Sequence, residues 1–223
     1  MTIYQNRLRR GAGFAIITSS LLMVVTMVLH PIGGNLEHLL HIRPIIIGSH
    51  GIALLSIPLM AFGFGGLKQS LSSTQGFLAN VGFSFVHFSL FSGFVAGMFN
   101  GLVLPWFISH YQNETSSQSL NMVQIILRYN ASMNHAFSLG FIVLIALAVF
   151  LFSVALLQTN IFPTWTAYWG LIASAGALIG LMVIGVQGFV HLKGFSLFVF
   201  GLVSWTISIG FFLQRQSTTP EKS

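Results

Sequence analysis

The chain is 223 residues long; 54% of them are hydrophobic and only 5% are charged. A soluble domain carries about 25% charged residues, so this chain lacks the side chains to clothe a water-facing surface, and hydrocarbon is its natural surrounding. The net charge of +6 arises from nine Lys and Arg against three acids, but the basic residues stand singly between apolar runs instead of in a stripe, which argues against nucleic acid as a partner.

Asp is absent, and Glu37, Glu114 and Glu221 all lie outside the long apolar runs. Cysteine is absent as well, which excludes disulfides, thiolate chemistry and Cys-ligated metal centres.

The first apolar run covers 11–29, behind Arg7, Arg9 and Arg10. It resembles a signal peptide, but it is long enough to span, and His30-Pro31 follows it where a cleavage site would stand. It is read as a retained helix. The second span is 44–67, closed by Lys68 and expected to kink at Pro58. The third, 77–104, belongs to a run that extends to Ile108 and is expected to tilt or break near Pro105. The remaining spans are 131–157, 163–190 and 194–213, followed by a polar tail, 214–223. Each reaches the roughly 17–20 residues that cross the hydrocarbon core as a helix, and the alternation of barrel strands is missing. The expected fold is therefore all-α: a single polytopic transmembrane bundle of six helices.

The two longest connections are 30–43, in which 35–42 has the makings of a short interfacial helix, and 109–130. Arg7, Arg9, Arg10, Lys68, Arg215 and Lys222 fall on one side, and Arg43, Arg128 and Lys193 on the other. This bias predicts cytoplasmic N- and C-termini. Trp106, Trp165, Trp169 and Trp205 stand near span ends, as an aromatic belt would place them. Gly93, Gly97 and Gly101 form a small-residue stripe for close helix packing, as do Ala173, Ala177, Gly176 and Gly180.

The polar residues are fewer and more informative. Arg43 precedes His50 by seven residues, and Arg128 precedes His135 by seven. Seven residues are two helical turns, about 10 Å along the axis, so each Arg shares a face with its His. Both helices run inward from the outer side, which sets the two imidazoles at similar depth. Asn134 lies beside His135. This set reads as interhelical hydrogen bonding, as an outward-facing pocket for a small polar or anionic ligand, or as a bis-His haem site with His50 and His135 as the axial pair. His38 and His41, at i and i+3, are weak metal-ligand candidates on an otherwise solvated connector. Asn80, Ser84 and His87 fall on one face of the third span and are expected inside the bundle. No carboxylate lies in any span and no nucleophile–base set is apparent, so the reading leans away from an enzyme and names no catalytic residue.

Leu29-His30-Pro31, His50-Gly51, Pro58-Leu59-Met60, Gly63-x-x-Gly66-Leu67 and Gly101-x-x-x-Pro105 resemble segments of small, uncharacterised multi-pass membrane proteins of bacteria. The resemblance covers the first half of the chain. It implies a bacterial inner-membrane location and no activity. Three functions remain open from sequence: a protein that binds or transports a small polar or anionic ligand; a haem-binding electron-transfer protein; and a structural or assembly subunit. The partners these readings call for are the lipid bilayer, a small polar ligand and a second copy of the chain.

Overall fold

A computed structural model describes residues 3–30, 34–191 and 194–216. Its elements are α1 (Ile3–Leu29), α2 (Leu36–His41), α3 (Arg43–Met98), a π-turn (Phe99–Val103), α4 (Leu104–Ser109), α5 (Ser117–Leu157), α6 (Thr164–His191) and α7 (Gly194–Gln216). Helix is the only answer these residues allow in lipid, where each backbone N–H and C=O must find its partner within the segment. No strand occurs among the described residues.

Five helical stretches are long and apolar enough to cross a membrane, and the largest, Arg43–Ser109, has 67 residues. A straight helix of that length would measure about 100 Å, more than three times the hydrocarbon core. It reverses instead. The backbone leaves the helical region at Gln75 (φ −134°, ψ 44°), within Ser-Ser-Thr-Gln-Gly, residues that compete with or loosen a helix. The arms 43–74 and 76–98 then lie antiparallel. A Cβ on Gly97 would stand 3.1 Å from Leu54, one on Gly101 would collide with His50, and one on Gly65 would touch Phe83 at 3.7 Å. Near the reversal the Lys68 ammonium lies 5.2 Å from the Phe83 ring centroid. Counting each arm once, the described residues form a bundle of six long helical segments.

The crossings follow one another around a closed ring. On α1, Ser19 Oγ donates to the Ser56 carbonyl at 2.8 Å, and Gly63 and Gly66 let the first arm of α3 lie directly against Ile16 and Ala12. The second arm packs on α5, where Ser89 and Ser92 donate to the carbonyls of Phe141 and Phe137, each at 2.8 Å. Gly170 lets α6 approach Ser153 of α5. Between α6 and α7, a Cβ on Gly201 would stand 3.0 Å from Ala173 and Trp169 Nε1 donates to Ser204 Oγ at 2.9 Å. The ring closes where Ser20 of α1 and Thr206 of α7 share a hydrogen bond of 2.7 Å. A cluster of Phe64, Phe152 and Trp205 fills the centre, with ring centroids 5.6 and 6.1 Å from Phe64.

The outer surface is apolar: Phe77, Phe88, Phe91, Trp106, Met182, Val183 and Leu197 are all widely exposed. An apolar surface of this extent matches a lipid environment. The chain is a multi-pass α-helical membrane protein.

Several expectations are corrected. The connection 109–130 is helical from Ser117 onward; Val123 is buried and Leu127 packs on a small outer cluster of Leu39, Ile46 and Ile108. Glu114 accepts the N–H groups of Ser116 and Thr115 at 2.8 and 2.9 Å just before this helix, and these bonds, that of Ser116 first, hold its carboxyl below the usual range. Trp205 does not belong to an aromatic belt: it is fully buried, and its Nε1 donates to the Thr166 carbonyl at 3.0 Å. Helix α6 stops being continuous at Gly185, whose φ of +67° and ψ of 171° suit glycine alone. Near Pro105, where a break was expected, the helix widens into the π-turn, and Leu104 N–H reaches back to the Phe99 carbonyl.

Asn80, Ser84 and His87 are exposed on the outer face, not held inside the bundle. Their shared face turns away from α5, which meets the Gly82 and Ser89 side of the same arm instead. Each satisfies part of its polarity locally: Ser84 Oγ donates to the Asn80 carbonyl at 3.1 Å, and His87 Nδ1 donates to the Phe83 carbonyl at 2.8 Å. His87→Leu is therefore expected to leave the stability of the detergent-solubilised protein within about 0.5 kcal/mol of the parent, as at other surface sites. A thermal unfolding series would check this, and a drop of several degrees would return His87 to the interior.

Candidate functional site

The ring of helices does not close fully in the half that holds His30 and Asn100. A cavity of about 220 Å³ lies there between α1, both arms of α3, the π-turn, α5 and α7. Its floor is apolar: Met60, Phe64, Leu90, Ile145 and Leu202. Below Phe64, the Phe152 and Trp205 rings block the path inward.

One wall comes from α1 and the first arm of α3. His30 stands just beyond the end of α1, exposed, and His50 is two turns into α3, buried. Their rings are 5.2 Å apart, centroid to centroid, and tilted by 55°. Thr26 and Ser49 tie the two helices together at this level through a hydrogen bond of 3.4 Å from Thr26 Oγ1 to the Ser49 carbonyl. Because a carbonyl only accepts, the 2.9 Å contact between His50 Nδ1 and the Ile46 carbonyl places the proton on Nδ1. The Nε2 lone pair is then left free. Gly101 stands directly against the His50 Cβ, so the histidine backbone has no room to shift toward the π-turn.

The opposite wall is amide-rich. Asn100, Asn134 and Ser138 line it. Asn100 lies in the π-turn, a register change that recurs at functional sites. Its Oδ1 accepts from Asn130 Nδ2 at 2.8 Å, and Ser138 Oγ donates to Asn134 Oδ1 at 3.4 Å.

Of the residues singled out from sequence, the structure brings His50 and Asn134 to this cavity. The other members of that set lie elsewhere. His135 and Arg128 are exposed on α5, and Arg43 is half-buried at the first turn of α3 with an Nε that has no hydrogen-bond partner among the described residues. The expected pairing of His50 with His135 is therefore not made, and the bis-His haem arrangement loses one of its two imidazoles. The anion-attracting arginines do not line the cavity. His38 and His41 are exposed on α2, and no group of three or more His, Asp or Glu with metal-binding placement occurs among the described residues.

Sequence reasoning passed over His30, Asn100, Met23 and Met27, all of which line the cavity. Asn100 was detectable as an amide within an apolar run. Met23, Met27 and His30 fall at i, i+4 and i+7, one face of a helix, but methionine in a membrane span reads as one more apolar residue.

No known protein family, no characterised protein and no solved structure matches this chain.

Proposed function

We propose that the chain is a membrane-embedded binding protein whose central cavity receives a small uncharged or weakly charged ligand from the outer side. The observation that supports this best is the cavity itself. It is a preformed space among the helices, with a few polar groups above an apolar floor, which is the usual make-up of a ligand site. A subunit with only a packing role has no need of it. An anion is a poor occupant, because neither Arg43 nor Arg128 reaches the lining. The basic residues on the 68 side of the bundle, together with the resemblance to bacterial membrane proteins, support a bacterial inner-membrane setting with both termini in the cytoplasm.

The absence of native cysteine allows a clean test. Ser138→Cys, in the cavity, is expected to react with a charged, membrane-impermeant thiol reagent added to intact cells. Gln112→Cys in the turn before α5 should react likewise, and Ser72→Cys beside the reversal only after permeabilisation. Phe88→Cys, on the lipid face, serves as the unreactive control. Labelling of Ser138→Cys solely from the cytoplasmic side, or solely in denaturant, would overturn an outward-facing pocket.

A further inference from the structure

We infer that the mouth of this cavity is a binding site for a soft monovalent metal ion, Cu(I) or its analogue Ag(I), held by His30, His50 and the thioether of Met27, with Met23 one turn further in. The inference rests on the pocket reading above and names the class of ligand.

Geometry comes first. His30 and His50 present their rings 5.2 Å apart, a spacing at which one ion can lie between two imidazole nitrogens. Met23 and Met27 share a face of α1, His30 follows just beyond its end, and all three line the cavity alongside His50. The Thr26–Ser49 hydrogen bond, 3.4 Å long, sets the Met27 level of α1 beside the His50 level of α3. Imidazole and thioether donors therefore line one end of the cavity from both α1 and α3.

The second observation is the state of His50. Metal-ligating histidines commonly donate one ring N–H to a backbone carbonyl or carboxylate, which fixes the tautomer and aims the other nitrogen at the metal. His50 does this toward the Ile46 carbonyl at 2.9 Å, and Ser49 Oγ lies 3.4 Å from the same nitrogen. Among the described residues the His30 ring makes no hydrogen bond; its contact is with His50. Both rings retain a nitrogen for a ligand.

The donor set selects the ion. No carboxylate and no thiolate line the cavity, so magnesium and calcium, which are bound chiefly through carboxylates, find only the neutral amide and hydroxyl oxygens of the opposite wall. Thioether sulfur is a soft donor that favours Cu(I). Charge gives the same answer. With neutral ligands only, the ion's full charge enters a low-dielectric site, and the solvation cost grows with the square of that charge. A monovalent ion is tolerated where a divalent one is not.

The test uses the full-length protein, purified in detergent, with Ag(I) titrated directly and Cu(I) competed anaerobically against a colorimetric chelator. One equivalent is expected to bind, with Zn(II) binding much more weakly. His50→Ala and Met27→Leu are each expected to weaken binding by at least about tenfold, since loss of even an outer-shell partner has that effect. Met27→Leu nearly conserves volume and so keeps the fold while removing the sulfur. X-ray absorption of the Cu(I) form should show nitrogen and sulfur neighbours, with the sulfur signal reduced in Met27→Leu. Absence of stoichiometric Ag(I) binding, or binding that neither variant weakens, overturns the assignment. So does Zn(II) binding as tight as Cu(I). Cysteine labelling of Ser138→Cys, carried out on that variant apart from the metal titration of the cysteine-free protein, separates the two ideas: an accessible cavity that takes no Ag(I) sinks the metal site alone, whereas an inaccessible one sinks both.

Discussion

Gly66→Leu is expected to leave little folded protein in the membrane. The hydrogen at this position faces the Ala12 Cβ of α1, and one turn earlier Gly63 faces the Ile16 backbone and Cβ. In lipid no hydrophobic drive holds helices together; close van der Waals contact does. A leucine cannot turn aside here, because its own Cβ meets the neighbouring helix. The two helices must separate, and the fit around Ile16, buried in the main core, goes with them. Overpacking a core costs typically 1–3 kcal/mol and occasionally more; with the Ala12 Cβ, an atom that no rotamer change can move, as the obstacle, a loss of about 3 kcal/mol or more is expected. Gly48→Ala is the matched control. Its Cβ would enter open space, and glycine inside a helix costs roughly 0.5–1 kcal/mol relative to alanine, so this variant should hold or gain stability. Fluorescence-detected size-exclusion after a heating series would rank the two. Equal midpoints would mean that α1 and α3 do not make the contact described.

The contrast between Gly66 and Gly48 shows what could be read in advance. The crossings followed from hydropathy and length, because an uncharged run of about twenty residues has only one stable conformation in lipid. The small-residue stripe at Gly93, Gly97 and Gly101 also followed, although it serves two neighbours: Gly93 faces Phe141 of α5, whereas Gly97 and Gly101 face Leu54 and His50 of the first arm. What spacing does not contain is the rotation of a helix about its axis. Arg128 and His135 share a face, as seven residues require, but that face is turned outward, while Asn134, a single residue away, lines the cavity. Asn80, Ser84 and His87 failed for the same reason. A helix with polar groups on one face and small or apolar groups on the other can bury either in a membrane bundle, and the neighbour's shape decides. The close approach of Phe152 to Gly82 and the serine bonds to α5 outweighed the asparagine and the histidine.

Trp205→Ala should be the most damaging single change in the core. The indole is fully buried, lies 6.1 Å from the Phe64 ring, centroid to centroid, and donates to the Thr166 carbonyl at 3.0 Å. It thus joins α7 to the first arm of α3 and to α6 across the centre of the ring. Truncating a buried Trp or Phe to Ala costs about 3–5 kcal/mol, and here the void opens beneath the floor of the cavity. Trp205→Phe isolates the hydrogen bond, because most of the ring volume remains; it should cost only about 1 kcal/mol. The floor supplies a second readout. Phe64 is held between Trp205 and Phe152. Once the indole is gone, Phe64 can drop into the vacated space and the outer cavity gains a path inward. In a folded fraction of Trp205→Ala, rescued at low temperature, Ser138→Cys should become reactive from the cytoplasmic side as well as from outside, whereas Trp205→Phe keeps the barrier. If Trp205→Ala unfolds at the parental temperature and admits no reagent from within, the central aromatic cluster is neither the keystone of the bundle nor the floor of its pocket.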